Sequence, residues 1–211
     1  MIALQIDDKK VKVAEGTNLL EACLDNGIYI PNLCYLKGMQ HPSASCRLCF
    51  VEIEGSDLPV CSCSIRVARE MVVHTNTPKV RQLQKTALQL LLSAHDVDCK
   101  NCPANRQCAL QDMAKFLKVA LKTRSLDRLL KETRVDAHHP FFDHYPNRCV
   151  LCGKCVYVCR QQHDRSGLTF ASRGIDTVIA FYGYPQTEQL PCDTCQACVE
   201  VCPVAALLSK A

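Results

Sequence analysis

Apolar and polar residues alternate through Ile2, Leu4 and Ile6 and again through Val11 and Val13, with the polar stretch Asp7-Asp8-Lys9 between them. A period of two puts such apolar residues on one face of a strand, so residues 2–6 and 10–14 are expected to pair as a hairpin. The period then lengthens. Leu20, Cys23 and Leu24 share one face of a helix over residues 17–26, with Thr17 as its N-cap, Glu21 near the first turn and Gly27 as its stop. Strand signals return at residues 49–54 and around 71–74. This order predicts a small mixed sheet crossed by one helix.

Beyond it, Val80, Leu83, Ala87, Leu88, Leu90 and Leu91 form a helical pattern over residues 77–94, with Thr77 as N-cap and Pro78 in the first position. Residues 107–121 read as a second amphipathic helix that gathers Leu110, Met113, Phe116, Leu117 and Ala120. Residues 121–136 carry charges of both signs and neither Gly nor Pro, the pattern of a helix or an ordered linker. His138-His139-Pro140 breaks that pattern, and His138, His139 and His144 are read as surface residues. Between 167 and 183, Leu168, Phe170, Ile175, Thr177, Val178 and Ile179 suit two short paired strands. The fold class expected is α+β.

Composition changes how many modules this length can hold. The 211 residues include 17 cysteines, no Trp, six Phe and six Tyr. Metal centres can replace hydrophobic burial as folding nuclei, so several small modules fit where one or two ordinary domains would. An odd cysteine count and close C-x2-C pairs suit metal better than disulfides and point to a reducing compartment. The N-terminus lacks a basic start followed by an apolar core, and no apolar run reaches a membrane-spanning length. A cytoplasmic protein with no direct membrane insertion is expected. The formal charge of +4 is modest and counts cluster thiolates as neutral, so it gives no support to a nucleic-acid partner.

The strongest chemical signal lies near the C-terminus. Cys149-x2-Cys152-x2-Cys155-x3-Cys159 and Cys192-x2-Cys195-x2-Cys198-x3-Cys202-Pro203 have the spacing of a two-cluster ferredoxin. In that arrangement three close thiolates take three corners of one cubane and the fourth cysteine serves the other cluster. One four-iron cluster is thus expected on Cys149, Cys152, Cys155 and Cys202, and a second on Cys192, Cys195, Cys198 and Cys159. Structural zinc favours C-x2-C pairs divided by a longer loop. Arg160 follows Cys159 where Pro203 follows Cys202, a difference expected to affect the turn more than the ligand.

Two further constellations are less specific. Cys34, Cys46, Cys49 and Cys63 could hold a two-iron cluster or, as a ribbon, zinc. Cys61 is two residues from Cys63 and would face the same side of a strand, so spacing does not choose between them. Cys23 reads as a small core residue of its helix. His95-x3-Cys99-x2-Cys102-x5-Cys108 could bind zinc or a four-iron cluster.

Taken together, Tyr29-Ile30-Pro31-Asn32-Leu33-Cys34-Tyr35, Cys46-Arg47-Leu48-Cys49-Phe50-Val51-Glu52, the His95 to Gln111 motif, Cys149-Val150-Leu151-Cys152-Gly153-Lys154-Cys155-Val156 and Cys198-x3-Cys202-Pro203-Val204-Ala205-Ala206-Leu207 are recognisable in their order. The sequence resembles the N-terminal electron-transfer region shared by the large iron-sulfur subunit of respiratory complex I and iron-only hydrogenases with extended N-termini. It also resembles, and as a separate subunit is most like, the diaphorase iron-sulfur subunit of soluble NAD-linked nickel-iron hydrogenases. The resemblance implies a plant-ferredoxin-like (β-grasp) domain over residues 1–76 and a small helical His/Cys cluster domain over 77–120. A linker over 121–137 and a bacterial-ferredoxin-like domain over 138–211 complete the expected organisation. It also implies Cys63, not Cys61, as the fourth two-iron ligand, from its offset to Met71-Val72-Val73, and a four-iron cluster on His95, Cys99, Cys102 and Cys108. One 2Fe-2S and three 4Fe-4S clusters are the cofactors expected.

In complex I and the iron-only hydrogenases a large domain follows this region, whereas this sequence stops at Ala211. A separate electron-carrying subunit is therefore expected, with a flavin-containing, NAD(H)-reacting partner on one side and a catalytic subunit, hydrogenase or similar, on the other. A split subunit of a formate dehydrogenase or electron-bifurcating complex, and a free ferredoxin-like shuttle, are the alternatives. The sequence shows neither a Gly-rich phosphate loop nor a nucleophile with its base, so no flavin or nicotinamide is expected on this chain.

Overall fold

The computed structural model describes residues 1–122, 126–132, 135–163, 166–181 and 192–210. The chain divides into two compact units, Met1–Gln89 with Phe116–Val119 and Leu90–Lys115 with Ala120–Ala211.

In the first unit, β1 (Ile2–Ile6) and β2 (Lys9–Val13) form the expected antiparallel hairpin, Ile2 opposite Val13 and Ile6 opposite Lys9. Asp7 turns the chain in the left-handed region at φ 50°, which short polar side chains tolerate. Its carboxylate accepts hydrogen bonds from the Thr75 amide at 2.8 Å and the Thr75 hydroxyl at 2.6 Å. Helix α1 (Leu19–Asp25) follows, then β3 (Phe50–Ile53), β4 (Val60–Cys61) and β5 (Val72–His74). Strand β5 runs parallel to β1 and antiparallel to β3, giving a mixed sheet in the order β2-β1-β5-β3-β4. Ile2, Leu4 and Ile6 on its inner face, with Leu19, Leu20, Ile30, Leu33 and Leu48, make the core.

The cap of α1 is Asn18, not Thr17. Asn18 Oδ1 accepts from the Leu20 amide at 3.0 Å, and Nδ2 donates to the Cys63 carbonyl at 2.6 Å. Either residue type can cap a helix, but only the amide also supplies a donor for a buried carbonyl. The Thr17 hydroxyl instead donates to Ala14 O at 2.7 Å.

Helix α2 (Pro78–Ser93) begins as expected, with Thr77 Oγ1 accepting from the Val80 amide at 3.1 Å. Helix α3 (Ala109–Leu117) is shorter than the amphipathic pattern, starting directly after Cys108 and stopping before Lys118, whose φ is 54°. In the second unit, the described part of residues 121–136 is not helical. The Leu129 amide donates to Ser93 O at 2.9 Å, and Lys131 exchanges two hydrogen bonds with the Asn147 side chain at 2.7 and 3.0 Å. Backbone groups committed to those partners are unavailable to an i→i−4 ladder.

Strand β6 (Phe142–His144), helix α4 (Lys154–Gln162), β7 (Leu168–Ala171), β8 (Val178–Phe181), the short helices α5 (Cys192–Cys195) and α6 (Ala197–Glu200), and β9 (Leu207–Ser209) complete the second unit. Antiparallel β6 and β9 pair Phe142 with Ser209 and His144 with Leu207, while β7 and β8 form the hairpin expected in residues 167–183. Where Arg160 follows Cys159, α4 continues to Gln162; where Pro203 follows Cys202, α6 has already ended at Glu200.

The surface reading of the three histidines holds for His138 alone, which is exposed and bonded to Asp136 at 2.6 Å. His139 and His144 are buried, and the His139 ring stacks on Phe142 with centroids 3.6 Å apart. A neutral imidazole packs as an aromatic plate, which a polarity count does not register.

Asn18→Ala should destabilise the protein by about 2 kcal/mol, since a cap and a buried carbonyl's donor are lost together. Asn18→Asp keeps the cap acceptor but not the donor and should recover part of that. Denaturant unfolding of the anaerobically purified variants measures both.

Candidate functional site

None of the 17 cysteines is in a disulfide. In the first unit Cys34, Cys46, Cys49, Cys61 and Cys63 are buried together. The loop reaching them is bent at Arg47, whose φ of 53° lets the chain curl so that the Leu48 and Leu33 amides donate to Cys46 sulfur. Amides aimed at sulfur stabilise the thiolate, the form that ligates metal. Cys34 Sγ lies 3.4 Å from Cys46 Sγ, and Cys49 bonds to both Cys61 and Cys63. The mutual contact of Cys34 and Cys46 sets the pair apart, with Cys34 held down at about 5 and Cys46, further buried, pushed up. Cys61 is held at about 6 by its bond from Cys49 and by the Arg47 guanidinium, whose Nη1 is 3.6 Å away. Proximity thus gathers five sulfurs for four positions, and both Cys61 and Cys63 are within reach of Cys49. Cys23 is fully buried in α1, and burial pushes its thiol up to about 12, an inert core residue.

The second constellation begins where α2 ends. His95 Nδ1 lies 2.9 Å from the Arg148 carbonyl, which can only accept, so Nδ1 carries the proton. Burial holds the ring below the usual imidazole range. A neutral ring with Nδ1–H leaves the Nε2 lone pair for a metal, oriented by a backbone carbonyl as metal-bound histidines commonly are. Cys99 opens a single 3-10 turn, and Cys108 stands just before α3. The Cys108 thiol is pushed up by burial and by the Cys102 and Cys99 charges, which places the three sulfurs within each other's fields.

The third and fourth sets interleave. Cys149, Cys152 and Cys155 line one cavity with Cys202 from the other run. Burial raises Cys149 to about 12, with the Cys152 and Cys202 charges adding to it. The complementary group forms as well: burial raises Cys198 to about 12, and the Cys159, Cys192 and Cys195 charges act in the same direction. The Gly167 amide donates to Cys159 Sγ at 3.3 Å and the Ala206 amide to Cys202 Sγ at 3.2 Å, one amide on the crossing sulfur of each set. Gly153 sits between two of the cysteines at φ +75°, and a Cβ there would meet Phe170 Cζ at 3.3 Å. A glycine suits both constraints.

Among the described residues no three His, Cys, Asp or Glu side chains converge around one metal-ion position. The buried, amide-solvated thiols and the cavity walled by four of them fit iron-sulfur clusters.

Three family descriptions match consecutive segments: "2Fe-2S iron-sulfur cluster binding domain" over residues 1–78, "NADH-ubiquinone oxidoreductase-G iron-sulfur binding region" over 84–120, and "NADH-quinone oxidoreductase subunit 3, ferredoxin-like domain" over 139–208. The chain carries these three iron-sulfur domains in that order. Among similar proteins, the NADPH-Fe(3+) oxidoreductase subunit alpha of Geobacter sulfurreducens is 35% identical over 211 residues, 100% of this chain and 24% of that protein. The NADP-reducing hydrogenase subunit HndD of Solidesulfovibrio fructosivorans is 32% identical over 99% of this chain and 36% of its own length. This chain thus spans about a quarter to a third of these curated relatives. A chain in the crystal structure of an NAD+-reducing [NiFe]-hydrogenase in the H2-reduced state superposes with TM-score 0.87 at 28% identity, over 100% of this chain and 88% of that one. The 2Fe-2S region and the α+β, ferredoxin-like architecture expected of the family are present. Among the described residues no helix is long and apolar enough to cross a membrane.

Sequence reasoning missed Asn18, the Arg148 carbonyl and His144, which lines the cavity of Cys149. Asn18 carried a signal, being as good a cap as Thr17. The other two act through a backbone oxygen and a strand position that no spacing reveals.

Cys63→Ser should lose or distort the two-iron signal in low-temperature magnetic resonance of the reduced protein, and Cys61→Ser should keep it. Loss in Cys61→Ser alone would assign the ligand to Cys61.

Proposed function

We propose that this chain relays single electrons between a flavin-containing, NAD(H)-reacting subunit and a separate catalytic subunit, a hydrogenase, in the cytoplasm. Cys34, Cys46, Cys49 and Cys63 hold one 2Fe-2S cluster in residues 1–76. His95, Cys99, Cys102 and Cys108 hold a 4Fe-4S cluster in residues 77–120. Beyond a linker over 121–137, two more occupy residues 138–211, one on Cys149, Cys152, Cys155 and Cys202, the other on Cys192, Cys195, Cys198 and Cys159. The observation that carries the reading is the exchange of the fourth cysteine, with Cys202 in the cavity of Cys149, Cys152 and Cys155. Support for the partners comes from the likeness to a chain of the NAD+-reducing [NiFe]-hydrogenase.

When bound, such clusters take up and release one electron each. The chain's own work is placement and tuning. Amides on Cys159 and Cys202 donate to sulfur and so favour the more negative, reduced state. His95 brings a neutral donor where the other sets bring thiolates, which also favours reduction. Hydride chemistry with a nicotinamide needs a two-electron acceptor such as a flavin, and the reading assigns that to the partner.

Elemental analysis of anaerobically purified protein should give about 14 iron per chain, from the ligand sets above; about 8, with zinc present, would remove both N-terminal assignments.

The isolated chain should be reduced by a strong artificial reductant and not by NADH, and addition of the flavoprotein subunit should restore NADH reduction at the clusters. Rapid NADH oxidation by the flavin-free chain would refute the relay.

A further inference from the structure

His144 has no role in the ligand sets, yet it lines the same cavity as Cys149, Cys152, Cys155 and Cys202. It is 1% exposed, and its Nε2 reaches no hydrogen-bond partner in the protein. The residue is fixed from both sides. Its backbone exchanges hydrogen bonds with Asp136 at 2.7 and 2.9 Å, and its β6 position pairs with Leu207 of β9. The ring stands edge-on to Phe181, with centroids 6.4 Å apart. Apart from Lys154 and the cysteines, the cavity wall is apolar or glycine, including Ile179, Val204 and Leu207. A buried ring nitrogen without a partner is costly, and buried polar groups are nearly always paired. An imidazole ring carries at least one N–H, neutral or protonated. Cysteine thiolates and bridging sulfides are acceptors only, so a nitrogen facing them is satisfied as a donor.

We propose that His144 donates an Nε2–H hydrogen bond to a sulfur of the cluster held by Cys149, Cys152, Cys155 and Cys202, and thereby raises that cluster's reduction potential. This rests on the ligand assignment under Proposed function. A donor on cluster sulfur favours the reduced form, which carries one more negative charge. The donor comes from a side chain and adds to the Ala206 amide already on Cys202, so one residue change can remove it without moving a ligand. His139 is the natural comparison: equally buried and packed on Phe142, but outside that cavity wall.

The test is a redox titration of the anaerobic holoprotein, followed by low-temperature magnetic resonance, for wild type, His144→Phe, His144→Gln and His139→Phe. In His144→Phe one four-iron signal should shift downward, with the reduction equilibrium constant falling on the order of tenfold, about 59 mV for one electron. His144→Gln, which keeps an N–H donor, should recover most of the shift, and His139→Phe should leave the signal in place. An unmoved potential in His144→Phe with iron retained overturns the proposal, as does an equal shift in His139→Phe. Where His144→Phe loses iron, pulsed measurements on protein labelled with 15N-histidine decide. A weakly coupled nitrogen present in wild type and absent from His144→Gln supports the hydrogen bond; no such nitrogen, or the strong coupling of a direct ligand, overturns it. Wild-type iron short by a whole four-iron cluster would overturn the ligand reading together with the proposal, whereas full iron with an unmoved potential overturns the proposal alone.

Discussion

Cysteine sulfur is buried or half-buried throughout this chain, and the packing of each unit is organised around holding it there. In the second unit, Phe142, Val156, Leu168, Ile179 and Leu207 pack with Cys155, and Cys149, Cys159, Cys192, Cys198 and Cys202 lie against that cluster. A chain with no Trp and few other aromatic residues places ligands where a larger domain would place aliphatic side chains. Covalent links between sulfur and iron can then supply cohesion that so small an apolar cluster does not.

The same burial sets the protonation problem of assembly. Cys149 and Cys198 are raised to about 12 chiefly by removal from water, so without metal their thiols stay protonated at neutral pH. Only the thiolate ligates iron, and cluster binding must therefore displace those protons. In the first unit hydrogen bonds between thiols, and Arg47 beside Cys61, work in the other direction, holding Cys34 and Cys61 near 5 and 6. Backbone amides contribute at Cys46, Cys159 and Cys202 as dipoles that cost no reorganisation when charge arrives. Left-handed residues, Arg47 in one loop and Leu151 with Gly153 in another, give the loops the curl those sites require.

Local order alone carried much of this. Alternation at Ile2, Leu4 and Ile6 located β1, the Thr77-Pro78 pair located the start of α2, and the doubled cysteine run pointed to Cys202 joining Cys149, Cys152 and Cys155 around one cavity. Each signal is short in range and repeats with a period that backbone geometry imposes. Readings failed where the deciding partner was distant. The composition of residues 121–136 left a helix and an ordered linker both open, and the Leu129 and Lys131 amides, bonded to Ser93 and Asn147, go against the helix. Asn18 displaced Thr17 as cap because Cys63, 45 residues away, needed a donor.

The sequence by itself therefore determined the chemistry: which residues are thiols, how closely they are spaced along the chain, and which clusters that spacing admits. Tertiary structure decided their company. Bringing Cys202 into the cavity of Cys149, turning His95 so that Nδ1 meets the Arg148 carbonyl, and burying His144 beside four sulfurs all depend on segments far apart in the chain. Spacing constrains neighbours because the backbone is stiff over a few residues; it says nothing about what a strand or helix meets after the chain has turned back on itself.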